Sequence, residues 1–175
     1  MYELSGMVKR LGFTHFWIAI AAGSSAAGSL IAFSDQGSVQ SADWSFLWAI
    51  SACTGWVYTF QRWMKSTRKP EQMPASRLEF MQKQGGRLGV FWTLLSIWAT
   101  LHWLFEAGIP FAPQLASQWP LFLLAAVMSI GYAFNPIGSG RGWRERPHLK
   151  LPAIALSWTL ATVIFPASHL GISWW

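Results

Sequence analysis

Polar and charged positions in this chain are gathered into a few blocks, and the stretches between them are apolar. Five apolar stretches stand out, at 11–33, 44–60, 88–108, 119–134 and 151–172, against the roughly 20 apolar residues that span a hydrocarbon core. The pattern predicts an all-α integral membrane helical bundle of about five transmembrane helices, forming a single membrane domain over residues 1–175. The polar stretch after the second span contains one further predicted element, a short interfacial helix over 74–83. In it Ser76 caps, Glu79 completes a capping box, and Leu78 and Met81 share an apolar side.

Composition sharpens this into a statement about solvent. The chain is 53% hydrophobic and only 11% charged, with a mean hydropathy of +0.30. Soluble domains carry about 25% charge, so the composition argues against a water-soluble enzyme domain. There are 13 Trp, a residue that gathers where membrane meets water. Trp17, Trp63, Trp92 and Trp143 fall near the inner boundary of the predicted spans, and Trp44, Trp103, Trp119, Trp174 and Trp175 near the outer one. Trp48, Trp56, Trp98 and Trp158 require a packing or ligand explanation instead. Cys53 is the single cysteine, which excludes an internal disulfide framework and a Cys-rich metal site.

The net charge of +6 is a sidedness signal and not a nucleic-acid footprint. All 13 basic residues lie outside the spans and on alternate connections. Lys9 and Arg10 precede the first span, seven residues from Arg62 to Arg87 follow the second, and four from Arg141 to Lys150 follow the fourth. The positive-inside rule then places the N-terminus in the cytoplasm and the C-terminus outside. Lys9-Arg10 followed by an apolar run and small residues resembles a signal peptide, but the run continues through Leu30, Ile31 and Phe33, so a retained span is expected. Its small residues, 21–28, allow close helix approach and predict a centrally packed first helix. Pro110, Pro113 and Pro120 are expected outside the third and fourth helices, whereas Pro166 lies inside the fifth and should kink it.

Ionisable residues within membrane spans are the default functional candidates, and here they are few. Glu106 follows His102 by four residues, on one helix face. His15, His102 and His169 are candidate tetrapyrrole ligands, His102 and His169 lying at similar depth; the competing reading is interfacial hydrogen bonding. The seven carboxylates, Glu3, Asp35, Asp43, Glu71, Glu79, Glu106 and Glu145, form no cluster of the kind that holds magnesium against a diphosphate. No nucleophile elbow is present, and Gly85-Gly86 and Gly138-Ser139-Gly140 read as turns. The basic blocks can bind anionic lipid headgroups or a phosphorylated ligand, beside their role in topology.

Three segments carry a family resemblance: Thr14-His15-Phe16-Trp17-Ile18-Ala19; Gly55-Trp56-Val57-Tyr58-Thr59-Phe60-Gln61-Arg62 with the later Arg77; and Gly131-Tyr132 through Pro136 to His148-Leu149-Lys150, followed by Ile154-Ala155-Leu156-Ser157-Trp158. Their order resembles the N-terminal half of the UbiA superfamily of intramembrane prenyltransferases, in a divergent bacterial branch. The resemblance implies a helical bundle, a bacterial inner (cytoplasmic) membrane, and cytoplasmic Asp-rich motifs binding magnesium and an isoprenoid diphosphate. This sequence departs from that pattern, since 58–69 contains no carboxylate and the stretch where the second motif belongs lies beyond residue 175. What the resemblance leaves are Arg62 and Lys150, as lipid- or anion-binding candidates without a catalytic role.

The expectation is therefore a non-catalytic polytopic membrane protein on a truncated UbiA-like scaffold. It would act as an accessory or assembly subunit of a larger membrane complex, such as a pigment- or quinone-containing photosynthetic or respiratory one. Its expected partners are membrane lipids and other integral membrane subunits, with bound lipid, carotenoid, quinone or tetrapyrrole permitted and no nucleic acid. The alternative is a half-size prenyltransferase-like enzyme whose partner supplies the Asp-rich magnesium and diphosphate site. A small transporter or channel is disfavoured by spans that lack a buried charge pair or an inverted repeat.

Overall fold

The computed structural model describes residues 14–35, 37, 39, 43–106, 119–121, 123–128, 131 and 147–170, and every element among them is a helix. The readings that rest on Glu3, Lys9, Arg10, Pro110, Pro113, Tyr132, Pro136, Gly138-Ser139-Gly140, Arg141, Trp143, Arg144, Glu145, Arg146, Trp174 and Trp175 lie outside the described residues. Three helices are long and apolar enough to cross a membrane: Phe16–Phe33, Ala75–Glu106 and His148–His169.

Helix α1 spans Phe16–Phe33. Its start is fixed by His15, which takes the left-handed conformation with φ 64° and ψ 11°, so the helix begins later than the predicted residue 11. Ala19, Ala22, Ala26 and Leu30 form its buried face. α1 lies between α2 (Asp43–Arg68) on one side and the C-terminal helices on the other, as its small residues predict. At Gly23 the approach to α2 is so close that a Cβ would meet Ser51 Oγ.

Helix α2 is 26 residues long, about 39 Å at 1.5 Å per residue. That length spans a bilayer, but its Trp, Ser, Thr and Gly residues lower its hydropathy, and it is not one of the three apolar spans. Phe46, Leu47, Ala49 and Ala52 of α2 join Ala26 and Leu30 of α1 in one core cluster. Ala99 and Trp103 of α3 (Ala75–Glu106) complete it.

The segment 74–83 is not a separate interfacial helix. It forms the first turns of α3, a continuous helix of 32 residues. Ser76 therefore sits inside the first turn, and Glu79 pairs with Lys83 at 2.7 Å one turn along. Two Trp residues expected at the interfaces are core residues. Trp92 is 2% exposed and fills the space left by Gly55, where a Cβ would lie 2.5 Å from its ring; its Nε1 donates to the Thr14 carbonyl at 3.1 Å. Trp103 is buried against Phe46 with ring centroids 5.4 Å apart. Position along the chain sets depth but not which helix face turns inward, and tertiary packing decided both. Trp17, Trp44, Trp63 and Trp119 are exposed, as anchors should be.

The shorter apolar helix α4, Trp119–Met128, packs Leu121 and Met128 against Ala153 and Leu160. Pro120, expected outside this helix, stands in its first turn, where a missing N–H costs nothing. Helix α5 (Pro147–Thr159) passes through a π-helical turn, Leu160–Ile164, into α6 (Phe165–His169). The π turn precedes Pro166 and contains Thr162, the residue four before it. This is the carbonyl with which a Pro ring collides in a regular helix, so the disturbance expected at Pro166 is taken up by a wider turn. The contacts of His15 with Thr59, of His169 with Asp43 and of Trp103 with Phe46 fix the helix directions: α1, α3 and α5 start where α2 ends. Arg62, Arg77 and Lys150 consequently lie at one end of the bundle, the basic end.

Candidate functional site

A cavity of about 170 Å³ opens between α1, α2, α4 and the α5–α6 segment. Its wall is mostly apolar. Ala22, Ile50, Val57, Met128, Leu160 and Phe165 supply the hydrocarbon surface, with Trp158 beside them. The π turn contributes Leu160 and Ala161 to this wall, a placement typical of π turns at functional sites. Cys53 also lines it, with Sγ 3.8 Å from Thr100 Oγ1.

Polar lining residues include Thr54 and Ser157 along the wall and Tyr58 and Gln61 nearer the basic end. Tyr58 and Gln61, one turn apart on α2, face the cavity, and Arg62 follows directly. Across the opening, Lys150 is exposed and precedes the lining residue Ile154 by one helical turn. Neither Arg62 nor Lys150 is itself a lining residue, but each stands on a helix that contributes to the wall. Trp158, which the sequence left in need of a packing or ligand explanation, lines the cavity, as do Gln61 and Cys53, which it did not single out as lining. The available signal was Tyr58 and Gln61 at helical spacing near the end of an otherwise apolar stretch.

His15 lies beside this mouth and just before the α1 span. Its Nδ1 shares a 3.1 Å hydrogen bond with Thr59 Oγ1, and its ring stands 6.4 Å from that of Tyr58. Burial, reinforced by the positive charges of Arg62 and then Arg77, holds its pKa down at about 4, against an ordinary 6.5. His15 is therefore a neutral, buried ring in a left-handed backbone conformation that costs a non-glycine residue about 1 kcal/mol or more.

The other two candidate histidines, His102 and His169, occupy different faces of the far end. His169 Nε2 donates to Asp43 Oδ1 at 3.0 Å, and its ring stacks on Phe46 at 4.4 Å with an interplanar angle of 2°. His102 is on the exposed side of α3, edge to face with Trp98 at 5.4 Å. The two are not brought together. Among the described residues no three His, Cys, Asp or Glu side chains converge as a metal site. Of the Trp residues left without an interface role, Trp56 donates from Nε1 to Thr93 Oγ1 at 2.9 Å and stacks on Phe60.

No protein-family model, curated protein or solved structure matches the chain. Among the described residues every element is a helix, three helices are fit to cross a membrane, and an apolar cavity opens between α1, α2, α4 and the α5–α6 segment.

Proposed function

We propose that this chain is a non-catalytic membrane protein that holds the apolar tail of an anionic amphiphile and serves as an accessory subunit of a larger membrane assembly. The observation that carries the reading is the cavity itself: hydrocarbon walls from α1, α2 and α5, with Tyr58 and Gln61 in the lining towards the helix ends that carry Arg62 and Lys150. A tail is favoured in the wall, and a phosphate or carboxylate head is favoured at the cationic rim. In this reading α2 and α4 complete five spans, the basic end faces the cytoplasm of a bacterial inner membrane, and the scaffold is UbiA-like. The absence of any carboxylate over 58–69 supports binding over metal-assisted transfer. A partner role is supported by α3, whose Val90, Leu94, Ile97, Leu101 and Phe105 are exposed at helical spacing and suit acyl chains or a neighbouring helix.

Purification of the full chain in mild detergent, with identification of co-purifying membrane proteins, pigments and lipids, tests the reading. A recurrent membrane partner together with a bound amphiphile is expected; a bare monomer would contradict it. The basic rim equally suits a half-size prenyltransferase-like enzyme. That reading requires magnesium-dependent binding of an isoprenoid diphosphate that Lys150→Ala weakens in the presence of the partner.

A further inference from the structure

A second concavity, of about 270 Å³, lies at the far end of the α2–α3 seam, away from the basic rim. Its walls are indoles. Trp44 and Trp48 come from successive turns of α2, and Trp98 faces them from α3. They are 56%, 60% and 56% exposed, unlike the core residue Trp92. The floor is made by the small buried residues Ser45 and Ala99, which let the aromatic walls stand around an open space. His102 packs edge to face against Trp98 at 5.4 Å and braces it.

Glu106, the last residue of α3, lines the same concavity. No Lys or Arg occurs anywhere from 11 to 61 or from 88 to 140, so no basic side chain from either flanking stretch competes for its carboxylate. Indole faces attract cations through their quadrupole, Trp most strongly, and groups of aromatic rings select quaternary ammonium over strongly hydrated ammonium. Trp44 and Glu106 lie at helix ends, so a charged headgroup reaches them without entering the hydrocarbon core.

We propose that Trp44, Trp48 and Trp98, with Glu106, form a binding site for a quaternary ammonium group, carried either by a choline-type lipid headgroup or by a small soluble solute. Single Trp anchors need only sit at the interface; here three of them converge on one space beside a carboxylate.

The test uses the full chain in an uncharged detergent. Calorimetric titration with tetramethylammonium and choline should give saturable binding, and titration with ammonium at equal ionic strength should not. Trp98→Leu and Glu106→Gln should each weaken choline binding by about fivefold or more, whereas Trp17→Leu, at a remote exposed Trp, should leave it unchanged. A measurement on the unmutated chain stands apart from folding effects: with 5-fluorotryptophan incorporated, choline should shift the fluorine resonances of a small subset of the 13 Trp residues. Short-chain phosphatidylcholine that competes at lower concentration than choline assigns the group to a lipid; weaker competition assigns it to a soluble solute. Absence of saturable tetramethylammonium binding, fluorine shifts spread over all Trp residues, or affinity unaltered by Trp98→Leu would overturn the proposal.

Discussion

His169 Nε2 and Asp43 Oδ1 meet at 3.0 Å although 126 residues separate them, and both side chains are largely shielded, at 12% and 7% exposure. This contact joins the last turn of α6 to the first turn of α2 and closes the bundle at its far end. The flat stack of His169 on Phe46 ties the pair to the core cluster. Asp43→Ala leaves a shielded imidazole without its acceptor and should destabilise the protein by about 2 kcal/mol. A lowered thermal midpoint in detergent, followed by near-ultraviolet circular dichroism, checks this, and Asp43→Asn should recover part of the loss.

Gly55 and Gly23 both sit where helices touch, but substitution should separate them. A Cβ at Gly55 meets the indole ring of Trp92 at 2.5 Å, and that ring is held by its bond to the Thr14 carbonyl. Gly55→Ala should therefore cost about 1–3 kcal/mol. At Gly23 the obstacle is the rotatable hydroxyl of Ser51, with the next atom 3.6 Å away. Gly23→Ala should shift the thermal midpoint much less.

His15 should make stability depend on pH in a defined direction. Burial and the neighbouring Arg62 and Arg77 depress its folded-state pKa to about 4, while the unfolded chain titrates near 6.5. Above 6.5 both states are neutral and the stabilisation is complete. As pH falls from 6.5 towards 4, the unfolded chain takes up a proton that the folded one does not, so stability declines. His15→Gly keeps a residue suited to φ 64° and removes the titrating ring. Unfolding curves over this window should fall less steeply for the variant than for the parent.

Cys53, the single cysteine, lines the apolar cavity and reports on its contents without any engineering. Its alkylation by N-ethylmaleimide should slow when an anionic amphiphile with a long apolar tail is added. Ala161→Phe, which narrows the same space, should slow it too. Mass spectrometry of the intact chain follows both.

Parts of this arrangement were legible in the sequence. Hydropathy located α1 and the final span, and the small residues of 21–28 anticipated the close approach at Gly23. The length of α3 was not legible, because Gly85-Gly86 read as a turn between a short helix over 74–83 and the span from 88, yet both glycines lie inside one continuous helix. Nor was the burial of Trp92 and Trp103: membrane helices are apolar all round, so hydropathy does not mark the face that packs. Arg62 and Lys150 were identifiable as candidates from a resemblance, but the cavity is a tertiary feature assembled from α1, α2, α4 and the α5–α6 segment.

The central claim is that the cavity holds an amphiphile whose anionic head rests at Arg62 and Lys150. Quantitative lipid mass spectrometry of the purified full chain, compared with the Arg62→Ala/Lys150→Ala double variant, addresses it most directly. The parent should retain an anionic amphiphile at close to one per chain, and the double variant should lose most of it while keeping its helical content and thermal midpoint. A parent carrying no enriched amphiphile, or a double variant that retains it undiminished, would contradict the claim.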